Sequence, residues 1–132
     1  MAYPGASAQF IPGFKLVDGS DLQKMVDGST SFASSITAFA GGGQTSATQL
    51  NNCVNEVVTV ASAADSVKLP RSYPGAEVVV INAHAANAIQ VFGTSPDTIN
   101  GVATGTGLSQ AATKSAVYRC PVAGKWYRIL SA

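Results

Sequence analysis

The stretch Ala76-Glu77-Val78-Val79-Val80-Ile81-Asn82 constrains this chain more than any other. Four consecutive β-branched apolar residues fit poorly in a helix, where crowding restricts their χ1, and fit well in a pleated strand. A strand apolar at every position, and not at every second one, implies that both of its faces are covered. Comparable segments recur along the second half: Val57-Val58-Thr59-Val60, Ser66-Val67-Lys68-Leu69 ending at Pro70, and Ala88-Ile89-Gln90-Val91-Phe92-Gly93. Two more, 115–120 and 125–130, flank Pro121-Val122-Ala123-Gly124, which reads as a four-residue hairpin loop. Strands recurring every 8 to 12 residues or so, with turn signals between them, predict an antiparallel β-sandwich or small barrel. Nothing in this half reads as a crossover helix, which argues against a parallel α/β sheet.

The first 54 residues differ in character, so the chain divides into 1–54 and a β-module, 55–132. Pro4-Gly5 and Pro12-Gly13 bracket Phe10-Ile11, a pattern suited to an extended N-terminal arm. Ser20-Asp21-Leu22-Gln23 fits a capping box, and Leu22, Met25 and Val26 share one face before Gly28. This predicts one short helix that needs a surface to dock on. From Ser29 to Asn52 the chain is rich in Ser, Thr, Ala and Gly and reads as mostly irregular, ending in a polar connector at 44–52.

Charged residues make up 11% of the chain, against roughly 25% in an ordinary soluble domain. With 8 Lys+Arg and 7 Asp+Glu there is no basic footprint for nucleic acid or an anionic membrane, so neither is an expected partner. Hydrophobic residues reach 46%. High apolar content with scarce charge predicts surface buried against other copies, a homo-oligomer. The start MAYPGASAQF lacks a basic region followed by an apolar core and is read as belonging to a protein made in a cytoplasm. Cys53 and Cys120 are read as buried thiols, their pairing left open.

Chemistry-bearing residues are sparse. The one histidine, His84, sits among alanines between two strands, and no zinc-type spacing surrounds it. Asp97-Thr98-Ile99-Asn100-Gly101-Val102-Ala103-Thr104-Gly105-Thr106-Gly107 invites a calcium-loop or phosphate-loop reading. The first lacks its closing glutamate and the second its Gly-Lys-Ser/Thr. Asn100-Gly101 reads instead as a tight turn with Ile99 in the core. Trp126 and Tyr127 are candidates for a surface ligand contact with a sugar. Alternation along a strand points them to opposite faces, which favours a core and interface pair. No catalytic residue, metal or cofactor is expected.

Read in order, "VASAADSVKLP" (60–70), "PGAEVVVINAHAANAIQVFG" (74–93), "DTINGVA" (97–103) and "AVYRCPVAGKW" (116–126) resemble a small β-module of tailed-bacteriophage virion proteins. That family includes head-decoration and head-fibre proteins. "PGFKLVDGSDLQ" (12–23) is similar to the leader of such proteins. The resemblance implies a non-enzymatic virion component, often trimeric, bound to the major capsid protein or to other virion proteins. Localisation to the virion follows, after synthesis in the host cytoplasm. Phe10, Ile11, Phe14 and Leu16 on the arm, with Leu22, Met25 and Val26 on the helix, are the expected particle-anchoring residues. A tail, tail-fibre or baseplate component is the nearest alternative, and a carbohydrate-binding module a second.

Overall fold

The β-branched segments do form strands, and successive strands alternate between two sheets until the last two, which share one. The structure, a computed structural model, describes residues 31–132. In chain order the strands are β1 (Phe32–Thr37), β2 (Thr48–Gln49), β3 (Val54–Thr59), β4 (Asp65–Lys68), β5 (Ala76–Asn82), β6 (Ile89–Phe92), β7 (Thr98–Ile99), β8 (Leu108–Gln110), β9 (Ser115–Val122) and β10 (Lys125–Leu130). A six-stranded sheet is ordered β1-β3-β5-β9-β10-β7, and a four-stranded sheet β2-β4-β6-β8. The expected arm and short helix, with Phe10, Ile11, Phe14, Leu16, Leu22, Met25 and Val26, lie outside the described residues.

From β1 to β8, odd strands belong to the first wall and even strands to the second, with β9 and β10 both in the first, so the chain winds as a solenoid-like stack. From β1 to β6 each circuit lands in parallel on the one before. Phe32 pairs with Val54 and Val54 with Val79 in the first wall. Thr48 pairs with Val67 and Val67 with Val91 in the second. Antiparallel pairs then end the stack: β5 with β9, β9 with β10, and β6 with β8.

The mainly-β expectation therefore holds, while the sheets are mixed and not antiparallel. A parallel pair requires a long crossover, usually a helix. Here the crossover is a strand of the opposite wall, and such a segment has the same composition as one arm of a hairpin. The stretch 29–52, expected to be mostly irregular, supplies β1 and β2 for the same reason: each is held by a parallel partner. The expected four-residue loop tightens as well. Pro121 and Val122 extend β9, and Val122 pairs with Lys125 across Ala123-Gly124.

Between the walls lies the core. Val57, Val80, Tyr118 and Trp126 from the first wall meet Val67, Ile89 and Val91 from the second, with Leu50, Val60 and Leu69 where the chain crosses. Along β5, Ala76, Val78, Val80 and Asn82 are buried, whereas Val79 and Ile81 are only half-buried. The expected double cover of this strand is thus present on one side only.

Buried amides tie successive circuits together. Asn55 Nδ2 donates to the carbonyls of Asn52 (2.7 Å) and Val79 (3.3 Å). Asn82 Nδ2 donates to the carbonyls of Asn87 (2.9 Å), Gln110 (3.1 Å) and Ala111 (3.2 Å). Gln110 Nε2 donates to the carbonyls of Val80 and Lys114, both at 2.9 Å, while its Oε1 accepts from the Tyr118 hydroxyl at 2.9 Å. The three amide side chains are themselves buried and donate to carbonyls of both the crossings and the strands, so donors taken out of water keep their partners.

Candidate functional site

The glycine-rich stretch after Asp97 is a structural turn. Asn100 and Gly101 have φ of 53° and 74°, the pair of positive values that a type I′ turn requires. The turn closes through Val102 N–H to the Ile99 carbonyl at 3.0 Å, with Ile99 buried as expected. Asn100 Oδ1 accepts from the Arg128 N–H at 2.9 Å, pinning the turn to β10. Asp97 is buried and accepts from Trp126 Nε1 at 3.3 Å, so its carboxylate serves the core and not a loop ligand.

His84 and Tyr118 are likewise engaged by the fold. His84 Nδ1 accepts from the N–H groups of Ala86 (3.2 Å) and Asn87 (2.9 Å), shaping the crossing between β5 and β6. Burial pushes the Tyr118 phenol up to about 12, with the nearby Arg128 guanidinium pulling the other way. No disulfide joins Cys53, which is half-buried, to Cys120, which is buried. Among the described residues, no group of three or more His, Cys, Asp and Glu gathers within reach of one metal ion.

The two aromatic candidates separate. Trp126 is fully buried between the walls, while Tyr127, 49% exposed, lies on the opposite face of β10. Adjacent positions on a strand point opposite ways, so the two rings form no shared platform.

What the structure gathers instead is an apolar row on the outer face of the six-stranded sheet. Strand register aligns Phe32, Val54, Val79, Val117 and Ile129 across β1, β3, β5, β9 and β10. Phe32 and Ile129, at the two ends, are 73% and 63% exposed. Beside this row a second one aligns Glu77, Arg119 and Tyr127, where the Arg119 Nε to Glu77 Oε2 ion pair measures 2.7 Å. A shallow groove of about 360 Å³ opens along that second row, lined by Glu77, Arg119, Pro121 and Tyr127 among others. A groove of about 200 Å³, lined by Val79, Val117, Ile129 and Leu130 among others, runs at the central row.

Sequence reading missed this surface. Val79, Val117 and Ile129 were legible as strand residues, but Phe32 lay in a stretch read as irregular. No local signal states that residues from successive circuits stack side by side. No family model, curated protein or solved structure matches this chain.

Proposed function

We propose that this chain is a structural virion protein of a tailed phage, decorating or stabilising the capsid as a symmetric oligomer, a trimer by family resemblance. In this reading residues 1–30 carry the arm and short helix that anchor it to the particle, while β1 and β2, expected to lie in a linker, are part of the rigid β-stack. The observation that carries the assembly reading is the apolar row across five strands of an open sheet face. A face of that kind suits association, because it offers apolar contact area with the exposed Glu77–Arg119 ion pair beside it. The ordered segments behind the resemblance fit the same role. Leu69, Ile99 and Trp126 are core, Asn82 is a buried staple, and Asn100-Gly101 is a turn. In this reading they hold the module's shape and recognise nothing themselves.

The test is to locate and count the chain on purified particles by electron microscopy with antibody labelling. Copies arrayed over the head support decoration, whereas a few copies at one vertex or along the tail place it in the tail or baseplate. Particles devoid of the chain overturn the reading. Deleting residues 1–27 is expected to abolish binding to expanded capsids, and undiminished binding removes the anchoring role.

A further inference from the structure

We infer that the outer face of the six-stranded sheet is the surface through which copies of this chain associate, the same face turned inward on every copy about the symmetry axis. The inference rests on the oligomeric reading above and names its contact surface. Three features select a second copy as the occupant.

The first is size. Five strands about 4.8 Å apart, each about 20–25 Å long, present roughly 500–600 Å² before side-chain relief is counted. That approaches the ~800 Å² per partner of a stable interface. The central row accounts for the driving force, since apolar side chains across consecutive strands lose their hydration together when covered.

Charge is the second. Glu56 and Glu77 stand on this face against Arg119 and Lys125, so the face is neutral as a whole. A basic or acidic partner finds no complementary field there. A second copy meets no like-charge excess, and the exposed Glu77–Arg119 pair can exchange partners between copies. The third feature is relief: the grooves beside Tyr127 and Ile129 lie next to the side chains that would fill their counterparts on a neighbour. A symmetric contact requires ridge and groove on one and the same surface.

The test measures the mass of the full chain in solution across a concentration series, by sedimentation or light scattering. The wild-type chain is expected to form an oligomer. Ile129→Glu and Phe32→Asp alter side chains already 63% and 73% exposed, so each folds with an unchanged circular-dichroism spectrum and melting curve. Each is expected to raise the midpoint concentration of association by at least about 100-fold, because an unpaired charge replaces apolar burial in every copy. Phe39→Ser changes an exposed side chain at a residue whose backbone bridges to Ser66 of the four-stranded sheet, and is expected to leave the mass unchanged. If the wild type is oligomeric and both face variants keep its mass, the face is wrong while the oligomeric reading stands. A chain monomeric at every concentration overturns both, whether another protein or residues 1–30 of the same chain cover the row.

Discussion

Trp126 Nε1 donates to Asp97 Oδ2 at 3.3 Å, and both residues are buried. The pair joins β10 to the segment entering β7, the parallel partner that closes the edge of the six-stranded sheet. Asp97→Ala leaves the indole N–H buried without an acceptor, at an expected cost of about 1–3 kcal/mol. Asp97→Asn retains a carbonyl acceptor and is expected to lose less. Trp126 is the only tryptophan, so its fluorescence in a denaturant titration reports both variants directly.

Tyr118 makes stability depend on alkaline pH. Its folded-state pKa of about 12 lies above the ordinary phenol value of 10.0, because burial disfavours the phenolate. Between those values the unfolded chain releases the proton while the folded chain keeps it, so stability falls as pH rises. The contribution is fully present below pH 10 and is lost through pH 12, an order-of-magnitude total of about 2–3 kcal/mol. Denaturant midpoints measured over that window are expected to fall less steeply in Tyr118→Phe than in the wild type. Tyr118→Phe is also destabilised at neutral pH, since Gln110 Oε1 loses its donor.

Asn82 is expected to be the least replaceable of the buried amides. Its Nδ2 serves three carbonyls, of Asn87, Gln110 and Ala111, where the stack changes from parallel to antiparallel pairing. Asn82→Ala strands those acceptors and is expected to cost at least about 2–3 kcal/mol. Asn82→Asp keeps the shape but removes the donor and adds a buried charge, so it should unfold at still lower denaturant. Thermal melts of the two variants side by side check this order.

Two glycines separate two kinds of constraint. At Gly107 an added Cβ would lie 2.9 Å from Phe92 Cζ and 3.0 Å from Gln90 Oε1, so Gly107→Ala must displace a buried ring. A loss of about 1–3 kcal/mol is expected, as for other overpacked sites. At Gly101 nothing lies within 4 Å of such an atom, but φ is +74°. Gly101→Ala is therefore expected to lose only about 1–2 kcal/mol, through backbone strain alone. Gly101→Asn, which tolerates that conformation better, should recover part of it. Equal losses at Gly107 in the wild type and in Phe92→Leu would mean that the ring is not the obstacle.

Several local features were decided by the sequence itself. Alternation on β10 already separated Trp126 from Tyr127, and Asn100-Gly101 already specified a tight turn with Ile99 inward, because both depend on neighbours along the chain. The β-branched run at Val78–Ile81 fixed a strand for the same reason. Which strand pairs with which was decided only in three dimensions. Val54 meets Val79, and Val79 meets Val117, through register between segments far apart in sequence. A strand that crosses to an opposite wall has the composition of one that turns back on itself, so the segments alone read as antiparallel. β1 and β2 were legible least of all, since their Ser- and Thr-rich residues become strands by pairing with β3 and β4. The apolar row is a product of that pairing. Its five residues come from five strands, and they become a surface only when the stack forms.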